Sequence, residues 1–211
     1  MKTLFIILAG LLAVAGLQKG AEQASGVRSI YRAEVGVREE TGRNDGSRVE
    51  EYLRYVGLKK GQPWCASFVC WALGKAGIDN PRSGYCPRLF GRDKLVWERR
   101  RGGGGLNLAS YDGGPVVGKT EAGSDDSALV FGIYFPEKGR ISHVGFVDAC
   151  DGKYIITVEG NTNEAGSREG DGVYCKRRLL SSVYQIACYK IHSAAMVRKG
   201  DVLRLNALAH Q

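Results

Sequence analysis

Trp64-Cys65-Ala66-Ser67-Phe68-Val69 places a cysteine where a turn gives way to an apolar helix. Ser142-His143-Val144-Gly145-Phe146-Val147 then sets a histidine at the head of a strand, and Val158-Glu159-Gly160-Asn161-Thr162 ends the next strand on a carboxylate and an amide. A thiol is mostly protonated at neutral pH, and the thiolate is the nucleophile. A helix start carries partial positive charge and unbonded N–H groups, both of which favour an anion at Cys65. Histidine can take the thiol proton, and a polar residue on the neighbouring strand can hold the ring. Cys65, His143, Glu159 and Asn161 are therefore the candidate catalytic residues of an enzyme that works through a cysteine. A backbone N–H near Cys65 could serve an oxyanion, and Gln62, three residues upstream, is the candidate side-chain donor. The other histidines, His192 and His210, lie near the C-terminus without such company.

The hairpin that carries His143 and Glu159 gives this reading a condition. A two-residue Asp151-Gly152 turn pairs Cys150 with Lys153, sets His143 opposite Gly160 and turns Glu159 and Asn161 to the other face. A three-residue loop, Cys150-Asp151-Gly152, pairs Ala149 with Lys153 and sets His143 directly against Glu159, with Asn161 diagonal to it. Catalysis by this set requires the three-residue loop or a compensating bulge.

The elements that must position these residues fall into two halves. Ile30, Ala33 and Val37 suggest one amphipathic helix, and Ser47 to Val56 a second, with Ser47 and Glu50 spaced as a capping box. The third runs from about Trp64 to Ala76 and ends at Gly77; it is apolar around most of its circumference and should lie buried. From Ala128 the chain reads as strands: 128–135, 142–149, 153–159, 172–177 and 184–191, with Val202–Leu205 a candidate short sixth. Short spacings predict an antiparallel meander. Helices first and strands later mean an α+β fold, with the N-terminal helices on one side of a curled sheet. Between the halves, Arg99 to Asp126 is Gly-rich, either a plain flexible insertion or a loop that flanks the cleft and shapes substrate choice.

Composition bounds the setting. Residues 1–16 read as a signal peptide, with Lys2, a short apolar run and Ala13-Val14-Ala15 before cleavage near Ala15 or Gly16. The run is too short to span a bilayer, which takes about 20 residues. A secreted or periplasmic protein without stable membrane insertion is expected. What remains suits one domain, 21–195, with 196–211 as a C-terminal extension. The net charge of +8 suits an anionic setting. Nucleic acid is disfavoured, because the basic residues are scattered apart from Arg99-Arg100-Arg101. Six cysteines in an exported chain invite disulfides. Cys65 and Cys70 sit too far apart along one helix to pair, Cys70 suits an inert buried thiol, and Cys86, Cys150, Cys175 and Cys188 could form two bridges in any of three ways. No CxxC or HxxxH spacing points to a metal.

Pro63-Trp64-Cys65-Ala66-Ser67-Phe68-Val69, Ser142-His143-Val144-Gly145-Phe146-Val147 and Val158-Glu159-Gly160-Asn161-Thr162, taken in order, resemble the CHAP family of cysteine, histidine-dependent amidohydrolases/peptidases, over roughly Tyr31 to Ile191. The resemblance implies a papain-like α+β fold and cleavage of amide bonds in peptidoglycan peptides, with no cofactor. It makes Cys65 the nucleophile and His143 the general base, with Glu159 and Asn161 orienting the imidazole. Two departures bear on cleft shape and substrate: the Gly-rich insertion, and Asp125-Asp126-Ser127 where many relatives carry a Gly-Asp turn. The expected protein is a monomeric peptidoglycan amide hydrolase, either an N-acetylmuramoyl-L-alanine amidase or a stem-peptide or cross-bridge endopeptidase. The alternatives are a non-hydrolytic wall-binding protein of the same fold and a papain-like peptidase acting on proteins.

Overall fold

Three helices precede a seven-stranded antiparallel sheet in a computed structural model that describes residues 26–99, 120–121, 127–150, 153–164 and 170–191. The segments read as signal peptide and C-terminal extension, the sixth candidate strand and most of the Gly-rich stretch lie outside the described residues. The helices are α1 (Val27–Ala33), α2 (Ser47–Tyr55) and α3 (Cys65–Lys75). The strands are β1 (Leu95–Glu98), β2 (Thr120–Glu121), β3 (Ser127–Phe135), β4 (Arg140–Cys150), β5 (Tyr154–Thr162), β6 (Gly172–Leu179) and β7 (Gln185–Lys190). No helix among the described residues is long and apolar enough to cross a membrane.

The sheet departs from a simple meander. Strands β3 to β6 are neighbours in sequence order, but β7 returns to the far side of β3, β1 adds outside β7, and β2 pairs with β4. Strand β1 was not legible as a strand. Its partner is β7, more than eighty residues later, and no local pattern encodes that pairing.

α3 is buried from Cys65 through Leu73, as its all-round apolar surface requires. Its end is set by Gly77 in the left-handed region, where the Ile78 N–H reaches back to the Leu73 carbonyl at 2.9 Å. Side chains from all three helices pack against Val130, Val144, Phe146 and Val158 on one face of the sheet. Phe146 stacks on Tyr31 of α1 at 4.3 Å and meets Phe68 of α3 edge-on at 5.9 Å. The opposite face holds a second cluster, with Leu129, Phe131, Val147, Ile155 and Ile186 closed over by Val96 and Trp97 of β1. Among the described residues, none of α1 to α3 contributes to that second cluster; Leu180 of a short 3-10 turn after β6 packs against it.

Two local expectations fail at helix ends. α1 stops at Ala33, short of Val37. Ser47 and Glu50 form no capping box: Gly46, at φ +104°, is the cap of α2, Ser47 is the first helical residue, and the Glu50 N–H goes to the Gly46 carbonyl at 2.8 Å.

The β4–β5 hairpin meets its condition by a bulge rather than by a three-residue loop. The ladder begins at Cys150 with Ile155 and Ala149 with Ile156, and continued unbroken it would turn Glu159 away from the His143 face. Asp148 interrupts it as an extra residue on β4, after which Val147 pairs with Thr157 and Phe146 with Val158. Gly145 then falls opposite Glu159, and a Cβ there would sit 2.9 Å from Glu159 Cγ. His143, two residues along, shares that face.

Candidate active site

Cys65 is the first residue of α3 and is 5% exposed. Two groups on β5 fix where it sits. Gly160 lets the helix start close onto the strand, since a Cβ at that position would lie 2.6 Å from the Trp64 ring. Asn161, in the left-handed region at φ +55°, turns its side chain back so that Oδ1 accepts the Trp64 N–H at 2.9 Å. Asn161 Nδ2 donates in turn to Asn44 Oδ1 and the Gly170 carbonyl, at 3.1 and 3.0 Å. Trp64 is held from its other end by its indole N–H, which donates to Glu39 at 2.8 Å.

His143 follows a second bulge in β4: Ile133 pairs with His143 but Tyr134 with Ile141, leaving Ser142 as the extra residue. The ring is buried and meets Phe131 edge-on at 6.3 Å. Its Nε2 lies 2.8 Å from Glu159 Oε2. Glu159 is wholly buried, yet it accepts from Arg178 through Nε and, at 2.6 Å, through Nη2, and from Thr157 Oγ1 at 2.5 Å. Burial raises the Glu159 pKa, but Arg178 and His143 outweigh it and hold the carboxyl well below the usual range. An ionised carboxylate only accepts, so Nε2 carries a proton and donates it to Glu159. The free lone pair of a neutral ring therefore belongs to Nδ1, which is buried and has no hydrogen-bond partner among the described residues.

The Cys65 thiol and the His143 ring are near enough to shift each other's proton affinity. Burial opposes charge on His143, but Cys65 and Glu159 overcome it and push its pKa up to about 9. The Cys65 thiol is held well below the ordinary range, first by its hydrogen bond with the neighbouring Cys86 and, against burial, by His143 and the Val144 N–H. Both directions favour a thiolate beside an imidazolium over a neutral pair. Such a pair is a ready nucleophile with its acid catalyst already protonated.

Cys65, His143 and Glu159 are thus brought together, while two expected members are not. Asn161 makes no hydrogen bond to the imidazole among the described residues; the αL turn at the end of β5 points its amide at the start of α3 instead. Gln62 is exposed on the loop before Pro63, with no hydrogen bond tying its amide to Cys65 among the described residues. Neither of the two expected disulfides forms among the described residues. β3 lies between Cys188 on β7 and Cys150 on β4, and β5 lies between Cys150 and Cys175 on β6. Two strand widths, about 9–10 Å, exceed the reach of a bridge. Cys86 stands instead with its Sγ 3.6 Å from that of Cys65. Cys70 is buried, donates to the Ser83 carbonyl, and is pushed up to about 11 by burial, as an inert thiol should be.

Three functional neighbours escaped the sequence. Thr157 was within reach, because residues two apart on a strand share a face with Glu159. Arg178 needed the β5–β6 register, in which Ile155 pairs with Arg178 and Glu159 with Tyr174. Cys86 carried no signal apart from being a cysteine.

A family model described as the CHAP domain matches residues 57–161, a span that holds Cys65, His143, Glu159 and Asn161. No curated protein and no solved structure matches the chain.

Proposed function

From the premise that this chain belongs to the CHAP-domain family, whose members are in general peptidoglycan amidases and hydrolases, we propose that it cleaves an amide bond of peptidoglycan through a thioester on Cys65. The bond is the N-acetylmuramoyl-L-alanine link or one within the stem peptide or cross-bridge. The observation that carries this reading is the Cys65–His143–Glu159 cluster, with Nε2 committed to Glu159 and the thiol near enough to the ring for each to shift the other's proton affinity.

In the forward reaction the Cys65 thiolate adds to the carbonyl carbon, and N–H groups of the first turn of α3 stabilise the oxyanion. The C–N bond breaks as His143 gives its Nδ1 proton to the leaving amine. Water then attacks the thioester while neutral His143 takes its proton, and collapse expels the thiolate. Glu159 keeps its charge throughout; Arg178 and Thr157 hold it so that the ring keeps one orientation in both protonation states. Residues 1–16 act as an export signal, 21–195 as the catalytic domain of papain-like disposition, and the exported protein works as a monomer on the wall.

The test is digestion of purified peptidoglycan by the freshly reduced protein and by Cys65→Ala, with mass spectrometry of released fragments. Release by the wild type that disappears in Cys65→Ala is expected, and the fragment masses name the bond. No release by the wild type from several wall types would overturn the proposal in favour of a wall-binding protein or a protein-directed peptidase.

A further inference from the structure

A second thiol stands against the nucleophile. Cys86 opens the short 3-10 turn Cys86–Leu89, with Pro87 next in line, and the turn is tied to β7 by the Tyr189 hydroxyl, which donates to the Leu89 carbonyl at 3.0 Å. This fixes Cys86 Sγ at 3.6 Å from Cys65 Sγ, within reach of an S–H···S hydrogen bond and far beyond a bond length of about 2.05 Å. Both residues are 5% exposed, so little water competes for the contact.

Resting on Cys65 as the nucleophile, we infer that Cys86 is a positioning residue: its S–H donates to the Cys65 sulfur, holding it as a thiolate before attack and stabilising it as it leaves the thioester. The direction of donation follows from the surroundings. Cys65 has the helix start, the Val144 N–H and His143 to favour its charge, whereas beside it Cys86 is held well above the ordinary thiol range by the Cys65 hydrogen bond and by burial. Cys86 therefore keeps its proton. His143 alternates between charged and neutral through the cycle, but a neutral S–H stays a donor at every step. Its effect is strongest when Cys65 carries full negative charge, in the resting pair and at thioester collapse.

A donor of this kind has a signature in pH that packing lacks. Iodoacetamide alkylation of Cys65, followed by peptide mass mapping to separate it from exposed Cys175, reads the thiolate directly without any wall substrate. In Cys86→Ala the acid limb of the rate moves to higher pH, and on that limb the rate falls about tenfold, the scale of a hydrogen bond to a charged group. At alkaline pH the variant equals or exceeds the wild type, because a more basic thiolate is the better nucleophile. Cys86→Ser, which keeps a donor, holds its limb below that of Cys86→Ala. An unmoved acid limb in Cys86→Ala, or a loss of the same size at every pH, overturns the inference. A protein that alkylates as expected yet releases nothing from peptidoglycan would sink the proposed substrate and leave this inference standing. A wild-type Cys65 that resists alkylation at neutral pH sinks both.

Discussion

Asp148 and Glu159 lie on adjacent strands, are 1% and 0% exposed, and each faces arginine, yet their partners divide by layer. Among the described residues, the partners of Asp148 come from α1: Arg28 Nε at 3.0 Å, Arg32 Nη2 at 2.6 Å and the Tyr31 hydroxyl at 3.1 Å. Those of Glu159 come from the sheet: Arg178, Thr157 and His143. Burial raises both carboxyls, and arginine brings both below the usual range. The same physics serves two ends. Asp148 pins a helix to the bulged residue that sets the β4–β5 register, whereas Glu159 gives one oxygen to a ring that must change charge. In the proposed mechanism, a buried anion becomes part of catalysis because one of its partners can titrate.

The sharpest way to break this division is Glu159→Gln. The side chain keeps its shape, but His143 loses the acceptor that fixes its tautomer, and turnover should fall by at least about a hundredfold. The alkaline limb of the pH–rate profile should also drop below the wild-type position near pH 9, since Glu159 helps hold the His143 proton. Asp148→Asn should act mainly on stability. It leaves two guanidiniums facing a neutral group, at a cost of about 2–3 kcal/mol by urea denaturation, because Arg32 is half exposed and partly solvated. Below its unfolding midpoint this variant should keep the alkaline limb near pH 9; a limb that moves would show that the two carboxylates act as one electrostatic unit.

The sign of the acid response follows from the same shifts. A carboxyl depressed in the folded state adds stability above its unfolded pKa, about 4, and loses it as pH falls through the folded value. Stability should therefore fall on acidification below about pH 4, less steeply in Asp148→Asn, as a pH series of urea titrations would read.

Two smaller changes test the hairpin itself. Gly145→Ala puts a Cβ 2.8 Å from the Val158 carbonyl and 2.9 Å from Glu159 Cγ, so β4 and β5 must part, at about 1–3 kcal/mol. Asn161→Ala removes the acceptor of the Trp64 N–H and should cost about 1 kcal/mol, with a modest loss of turnover and no change in the His143 limb. A shifted limb in Asn161→Ala would restore the imidazole-orienting role that the spacing first suggested.

How far the sequence could be read follows the range of the interactions. α3 and its left-handed Gly77 stop were legible because an apolar helix and its cap are local, and His143 and Glu159 because alternation gave their shared face a testable condition. The bulge at Asp148 was not legible, since it depends on arginines more than a hundred residues earlier. Nor was the return of β7 to β3, the αL turn that takes Asn161 away from the ring, or the approach of Cys86 to Cys65. Each is a contact between distant segments, which spacing along the chain does not encode.

The central claim is a thiolate–imidazolium pair between Cys65 and His143 at neutral pH. The chain holds three histidines, so imidazole resonances of the ¹⁵N-histidine-labelled protein can be assigned by a His143→Gln comparison and titrated by NMR. The expected result is a His143 that is protonated at pH 7, deprotonates at about 9, and titrates lower in Cys65→Ala. A His143 that is neutral at pH 7 and unmoved by Cys65→Ala would contradict the pair, and with it the account of how this site makes its nucleophile.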